Sequence, residues 1–312
     1  MKISVVIPVY GCRKALPELH RRLTEVLLQV SSEYEIILVN DQCPQNSWEV
    51  IQQLCNSDHH VIGLEMSRNF GQMKALLAGL DHSTGDWIVV MDCDLQDRPE
   101  EIINLYKKAQ EGYDFVVARR KVRQDNPMKV FLSKCFYSVY SYTTGVEYDP
   151  SLCNFSICSR KVIDQYCKMR ELHRGFIMYL MWMGFRWTKI DVEHNERFEG
   201  HSGYDFKKRF RMAVELLTSQ SDKLLRLTAT VGFVISIVSF LFVIVTIIRR
   251  FTLQIAIGYS SLIAMISLMG GLSIMAIGIV GIYVGNIFME IKHRPLYIVR
   301  TVLNEGEKEH EQ

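Results

Sequence analysis

The stretch D-W-I-V-V-M-D-C-D-L-Q-D-R-P, residues 86–99, decides the fold of this chain. Its apolar part, residues 87–91, is too short for a helix of its own, is rich in β-branched residues and is entered from Gly85. That pattern predicts a strand buried on both faces of a parallel sheet, and we expect a central strand. Four polar side chains follow within six positions: Asp92, Asp94, Gln96 and Asp97. A helix is predicted to begin near Pro99.

Two of these polar residues, Asp92 and Asp94, have the Asp-x-Asp spacing that lets both carboxylates face one cleft. Ligands of open α/β sheets bind at the carboxyl ends of the strands. A hard divalent cation with oxygen ligands, Mg²⁺ or Mn²⁺, relieves the repulsion between two such carboxylates and can carry a diphosphate. The alternative is a solvated acidic turn, and the buried strand in front of the pair favours the metal site.

The rest of the first 200 residues alternates between strand and helix patterns. Further strands are predicted at residues 2–9, 35–40, 60–66, 114–118, 154–158 and 186–192, and helices at 16–30, around 48–54, at 73–80, at 98–110 and from 160. This β-α-β-α order predicts an α/β fold, a Rossmann-like doubly wound parallel sheet with right-handed crossovers.

Two more candidate sites follow strands at the same predicted edge. Asp41 comes directly after the second strand, where its carboxylate can accept hydrogen bonds from a base or ribose, or can simply satisfy a turn. Arg68 and Asn69 follow the third strand and precede a helix N-terminus, a position that suits anionic or polar ligand groups. The alternative for this segment is a capping turn that uses Gly71.

Composition limits the class of protein. The chain has 312 residues, of which 48% are hydrophobic, and a net charge of +2, which is too balanced for a nucleic-acid binder. Its eight cysteines show no C-x-x-C pair, so we expect reduced, mostly buried thiols rather than zinc ligands or a disulfide framework.

Apolar residues concentrate near the C-terminus. Residues 227–248 and 251–289 contain no charged side chain, and each run exceeds the roughly 20 residues that a helix needs to cross a bilayer. A basic helix is predicted before the first run, and its cations favour binding to the anionic lipids of the cytoplasmic leaflet.

Residues 128–144 mix aromatic and basic side chains, so they predict either a membrane-surface helix or a core helix. We expect both termini in the cytoplasm, because cations flank the hairpin on that side and no export signal is seen at the N-terminus.

Taken together, several motifs resemble family 2 inverting glycosyltransferases of the polyprenyl-phosphate type, such as dolichyl-phosphate mannose synthase and the bactoprenol glucosyltransferases. The motifs are V-V-I-P-V-Y at 5–10, S-R-N-F-G at 67–71, M-D-C-D-L-Q-D at 91–97, R-R-K at 119–121, R-F-E-G-H-S-G-Y at 197–204 and the C-terminal hairpin. The similarity runs over nearly the whole chain.

This resemblance implies a division of the chain and a set of roles. A cytoplasmic GT-A domain would occupy residues 1–203, a basic juxtamembrane helix 204–226, two transmembrane helices 227–290 (about 227–248 and 262–289) and a cytoplasmic tail 291–312. The metal would be held by Asp92, Asp94 and Gln96, and the nucleotide sugar would be bound by Pro8, Tyr10, Asp41, Arg68, Asn69, Asp92 and Gln96. The acceptor phosphate would be bound by Lys134, Arg119 and Ser202. The catalytic residues would be Asp92, Asp94, Arg119 and Arg197.

The resemblance also implies the reaction. A metal-dependent hexosyltransferase, with Mg²⁺ or Mn²⁺, would move a sugar from a UDP-, GDP- or dTDP-sugar to undecaprenyl phosphate or a similar polyprenyl phosphate for cell-surface glycan synthesis. It would sit in the bacterial plasma membrane among its lipids, and the sequence leaves open whether it forms a homo-oligomer.

Three positions depart from the family pattern: Gly11-Cys12 follows Tyr10, Gly203 follows Ser202, and Asn154 stands where the bactoprenol relatives carry an aspartate. Two alternatives therefore stay open. One is transfer to a sugar hydroxyl of a lipid-linked glycan, which would need a base such as Glu147 or Asp149. The other is a non-catalytic, membrane-tethered nucleotide-sugar binder.

Overall fold

The structure is a computed structural model, and it describes residues 1–120, 141, 149, 151–172, 174–193, 223–253 and 258–304. The described strands are β1 Lys2–Val9, β2 Glu33–Asn40, β3 Val61–Met66, β4 Trp87–Val90, β5 Phe115–Arg120, β6 Leu152–Ser159, β7 Trp187–Val192 and β8 Val299–Leu303. The described helices are α1 Leu16–Val30, α2 Ser47–Ser57, α3 Gln72–His82, α4 Glu101–Ala109, α5 Arg160–Lys168, α6 Phe176–Trp182, α7 Lys223–Leu253 and α8 Tyr259–Ile291.

The eight strands form one mixed sheet in the order β7, β5, β6, β4, β1, β2, β3, β8. The prediction of a central strand in the 86–99 stretch is confirmed, since β4 lies fourth of eight, with Val89 paired to Val5 of β1. The prediction of a wholly parallel sheet is wrong. Strand β6 lies between β4 and β5 and is antiparallel to both, and β8 is antiparallel to β3. A strand covered on both faces has the same apolar run in either direction, so the sequence of β6 could not reveal its sense.

Both faces of the sheet are covered, as expected for strands without a polar alternation. Ile3, Val5 and Ile7 of β1 pack with α1, α2 and α4 on one face, while Val6 packs with α3 on the other. Helix α3 approaches β1 very closely at Gly79, where an added Cβ would lie 2.4 Å from a methyl carbon of Val6. This close packing fixes the helix whose first turn faces the site described below.

The sequence missed β8. Residues 291–312 were predicted to be a tail, but Val299–Leu303 pairs with β3 and closes that edge of the sheet. Asn304 then donates from Nδ2 to the carbonyl oxygens of Cys55, at 2.6 Å, and Val61, at 3.1 Å. The five-residue strand follows 33 residues of apolar helix, and nothing in its own short pattern identifies its partner.

The chain divides into two compact units. The first contains the sheet with α1 to α6, and the second contains α7 and α8. Residues 268–291 of α8 form a 24-residue stretch with a mean hydropathy of 2.0, long and apolar enough to cross a membrane, and none of its side chains that the structure describes is buried. The predicted juxtamembrane helix at 204–222 and the aromatic and basic segment at 128–144 lie outside the described residues, apart from Ser141.

Candidate active site

The candidate site lies at the carboxyl ends of β1, β2, β3 and β4, and Asp41 organises one side of it. Its Oδ1 accepts a hydrogen bond from the backbone N–H of Phe70 at 2.7 Å, and its Oδ2 accepts one from Gly71 at 2.8 Å. Asn69 donates from Nδ2 to the Asp41 carbonyl oxygen at 3.1 Å. Asp41 is 3% exposed, and burial raises the pKa of its carboxyl despite the two backbone donors. The carboxylate therefore holds the 69–71 loop in place.

The same loop connects to the Asp-x-Asp motif. It leads directly into α3, whose first residue, Gln72, donates from Nε2 to Oδ1 of Asp92 at 2.8 Å. Arg68, on the exposed side of the loop, stacks its guanidinium 4.2 Å from the centre of the Phe70 ring. Hydrogen bonds at both ends of the 70–72 segment thus connect Asp41 to Asp92. Gln72 was not among the residues predicted from the sequence, although its place at a helix start beside the site was a usable signal.

Asp92 sits among other carboxylates. Burial of its carboxyl and, after burial, the negative charges of Asp97 and Asp94 raise its pKa to about 7, while Arg120 and the Gln72 hydrogen bond act in the opposite direction. Concentrated negative charge of this kind attracts a cation, because a bound cation removes the repulsion that raises the pKa.

The backbone after Asp92 makes a tight turn. Oδ1 of Asp94 accepts a hydrogen bond from the N–H of Gln96 at 3.2 Å. Between them, Leu95 has a φ of 58°, in the left-handed region that leucine seldom adopts, and its side chain is 4% exposed. Such a conformation costs on the order of 1–3 kcal/mol and persists only where the surrounding packing imposes it. The turn holds the Asp94 carboxylate, whereas Gln72 holds that of Asp92.

The oxygen-bearing side chains at this turn fit a hard divalent cation. Among the residues that the structure describes, no group of three or more His, Cys, Asp and Glu side chains is arranged to hold a metal ion. Two carboxylates are nevertheless enough for Mg²⁺, which is commonly bound by one or two of them together with water and substrate phosphates. Asp92 and Asp94 supply that number, next to the amide of Gln96.

The two arginines at the end of β5 have different surroundings. Arg119 lies opposite Asp191 of β7 and forms a bidentate ion pair with it, with Nε to Oδ1 at 2.5 Å and Nη2 to Oδ2 at 2.9 Å. Arg120, on the other face of the strand, is the arginine whose charge lowers the pKa of Asp92. Its Nε is buried and has no hydrogen-bond partner among the described residues. Arg119 is the residue predicted from the sequence, and strand alternation places Arg120 toward the carboxylates instead.

The remaining residues predicted to bind the nucleotide sugar lie at the end of β1. Pro8 is buried in β1, in register with Val39 of β2. Tyr10 follows the strand and is 54% exposed, so its ring is available to a ligand. Arg197, Lys134 and Ser202 lie outside the described residues.

The expectation of reduced cysteines is wrong for one pair. Cys12 and Cys93 form a disulfide with a Cα–Cα distance of 6.1 Å. Four of the free cysteines that the structure describes, Cys43, Cys55, Cys153 and Cys158, are buried, and Cys167 is half-buried. The bonded residues stand 81 positions apart, and only the neighbouring positions of β1 and β4 in the sheet bring them together.

The residues considered as a general base differ in their suitability. Asp149 accepts hydrogen bonds from Lys189 Nζ at 2.7 Å and from the Ser151 backbone N–H at 3.0 Å. Burial opposes ionisation, but these partners lower the pKa of Asp149 to about 2, which makes it a poor proton acceptor at neutral pH. Glu147 lies outside the described residues. Asn154 is half-buried in β6 and lies two residues before Ser156. Ser156 is paired with Val90, the last residue of β4.

Comparison with known proteins gives a consistent assignment. The family model described as "Glycosyl transferase family 2" matches residues 4–167. An uncharacterised glycosyltransferase of Bacillus subtilis is 34% identical over 302 residues, covering 96% of this chain and 94% of that protein. The undecaprenyl-phosphate 4-deoxy-4-formamido-L-arabinose transferase of Proteus mirabilis is 34% identical over 306 residues, covering 97% and 94%. The enzyme of the same name from Shewanella sediminis is 34% identical over 307 residues, covering 96% and 92%.

Among solved structures, mannosyl-3-phosphoglycerate synthase of Rubrobacter xylanophilus is similar at 14% identity and a TM-score of 0.48, covering 70% of this chain and 73% of that one. The assignment rests on the family match and on relatives aligned over nearly their whole length. The predicted resemblance is confirmed, the mixed α/β sheet is GT-A-like, and this chain belongs to glycosyl transferase family 2.

Proposed function

We propose that this glycosyltransferase moves a sugar from a nucleotide sugar to undecaprenyl phosphate or a similar polyprenyl phosphate, for cell-surface glycan synthesis. The observation that carries the proposal is the full-length similarity to two relatives named undecaprenyl-phosphate sugar transferases. The acceptor's phosphate oxygen would attack the anomeric carbon with inversion, and the nucleoside diphosphate would leave.

The donor would bind across the carboxyl ends of β1 to β4. Asp92, Asp94 and Gln96 would hold Mg²⁺ or Mn²⁺, which when bound supplies positive charge to the donor diphosphate. Tyr10 and Pro8 would line the nucleoside pocket, with Asp41, Arg68 and Asn69 on its other side. Arg120 takes over the part first given to Arg119, because its positive charge acts on Asp92 and its buried Nε has no hydrogen-bond partner among the described residues, which suits it to stabilise the leaving group.

The chemistry of the acceptor supports a phosphate over a sugar hydroxyl. A phosphate monoester has its second pKa near ~6 and arrives mostly ionised, so it needs little help from a base. A hydroxyl would need a base, and Asp149, one of the two carboxylates considered for that role, is held ionised by Lys189. Lys134, Arg197 and Ser202 would contact the acceptor phosphate, with Arg119 beside them.

The membrane supplies the acceptor. Helices α7 and α8 would form a two-span hairpin, with the catalytic domain and both termini on the cytoplasmic side of a bacterial plasma membrane. The apolar length of α8 and the uncharged run 227–248 of α7 support this arrangement.

The test is transfer by purified full-length protein from a panel of nucleotide sugars, with and without polyprenyl phosphate in bilayers. We expect product only with the lipid phosphate, loss of activity in excess EDTA, and recovery with Mg²⁺ or Mn²⁺. Full activity in EDTA would refute the metal assignment, and transfer only to a glycosylated lipid would refute the acceptor.

A matched pair of variants tests the arginine assignment. Arg120→Met should lower kcat by ~10²–10³, the usual cost of removing one charge-stabilising donor. Arg119→Met should lower kcat less than about tenfold, because its guanidinium pairs with Asp191 on the other face of β5, and should act mainly on the KM for the acceptor phosphate beside it. The reverse order would return the catalytic role to Arg119.

A further inference from the structure

The Cys12–Cys93 pair joins two parts of the proposed donor site. Cys93 is the middle residue of the Asp92-Cys93-Asp94 motif, and Cys12 lies two residues after Tyr10. Each cysteine stands three positions beyond the end of its strand, β4 or β1, and these strands are hydrogen-bonded neighbours. A bond between them ties the nucleoside loop to the metal-binding turn.

We infer that Cys12 and Cys93 form a redox-sensitive site whose disulfide holds the Asp92–Asp94 turn in its binding geometry and whose reduction weakens metal and donor binding. The inference rests on the proposed function, since it concerns the metal and donor site assigned there. Disulfides of cytoplasmic proteins are mostly transient, catalytic or redox-sensing rather than permanent cross-links. A bond at the centre of a binding motif, in a domain proposed to face the cytoplasm, fits that use.

The reaction is a thiol–disulfide exchange. On oxidation, each thiol loses one proton and one electron, and the S–S bond forms. The two electrons reduce a small disulfide such as oxidised glutathione, whose own S–S bond breaks to give two thiols. A dithiol carries out the reverse reaction. Both sulfur-bearing residues are buried, Cys12 at 4% and Cys93 at 5% exposure, so exchange requires the 10–12 loop to open.

Gly11 gives the loop a left-handed backbone conformation next to Cys12. Gly11 has a φ of 77°, and a Cβ added there would meet nothing within 4 Å. With the disulfide formed, Cys12 packs in the same core cluster as Cys93 and Leu95. Without the bond, the turn loses its covalent link to the 10–12 loop, while the repulsion between Asp92, Asp94 and Asp97 remains. Reduction therefore leaves a turn that the ligand must order on binding.

The experiment compares oxidised and reduced wild-type protein, full length in detergent, so no variant has to fold. Peptide mapping should find the Cys12 and Cys93 peptides linked after treatment with oxidised glutathione and separate after treatment with a dithiol. Mn²⁺ should bind roughly tenfold more weakly to the reduced form, the equivalent of ordering about one backbone residue. Its melting temperature should fall by about 10 °C, because the bond closes a loop of 81 positions.

Variants supply the control. Cys12→Ala and Cys93→Ala should each bind Mn²⁺ as the reduced form does and lose the redox response, whereas Cys167→Ser should keep it. The inference is overturned if no linked peptide forms, or if Mn²⁺ binds equally in both redox states. Mn²⁺ binding in neither state would overturn the proposed metal site as well, and so separates the two failures.

Discussion

Replacement of Asp41 by asparagine should loosen the loop that carries Arg68 and Asn69 and leads to Gln72. The Asp41 carboxylate accepts two backbone N–H groups, from Phe70 and Gly71, at 2.7 and 2.8 Å. An amide has one oxygen, so it can accept only one of them, and its NH₂ faces the other donor. A hydrogen bond to a charged group contributes about 1.5–3 kcal/mol. Part of that loss is offset because the buried carboxylate is itself disfavoured, as its raised pKa shows.

We therefore expect Asp41→Asn to cost about 2 kcal/mol, which lowers the melting temperature by roughly 4–8 °C. If the donor must order the loop again, its Kd rises by up to about 30-fold. Thermal unfolding and calorimetric titration with the nucleoside diphosphate measure both effects. Asp86→Asn is the matched control, because Asp86 accepts a hydrogen bond from the exposed backbone N–H of Lys2 at the opposite end of the sheet. Equal melting temperatures and donor affinities for Asp41→Asn and wild type would refute this reasoning.

Three further changes test other parts of the structure. Glu35 is 3% exposed, and hydrogen bonds from Lys2, Ser4 and Thr84 lower its pKa although burial acts to raise it. A lowered pKa in the folded state adds stability above the unfolded value of 4.5, so the higher melting temperature of wild type relative to Glu35→Gln should shrink as the pH falls below about 4.5. A difference in melting temperature that does not change with pH would contradict this. Asn154→Asp should leave the transfer rate to polyprenyl phosphate unchanged or lower, since it adds negative charge near an anionic acceptor, whereas a large gain on a glycosylated lipid, up to ~10²–10⁴-fold, would overturn the preferred acceptor. Truncation after residue 226 removes β8 together with α7 and α8, so we expect the product to aggregate through the uncovered edge of β3, and light scattering that shows a stable monomer would disprove it.

The sequence determined the parts of this protein that depend on local pattern. The apolar run at 87–91 predicted the central strand, and the spacing of leucines predicted α1 at the bounds that the structure shows. The polar residues after β2, β3 and β4 predicted the edge at which we propose the site. These features are local because a strand or helix buried on one or two faces has its own periodicity. The motifs that carry the family resemblance are local for the same reason.

Only the tertiary structure decided which residues meet. The direction of β6, the pairing of β8 with β3, and the disulfide between Cys12 and Cys93 all join segments that are distant in sequence. The choice of Arg120 over Arg119 depends on which face of β5 looks toward Asp92, and that follows from the register with β6 and β7. Two adjacent arginines are equivalent in a sequence, but the alternation of side chains across a strand sends one to Asp191 and the other to the carboxylates.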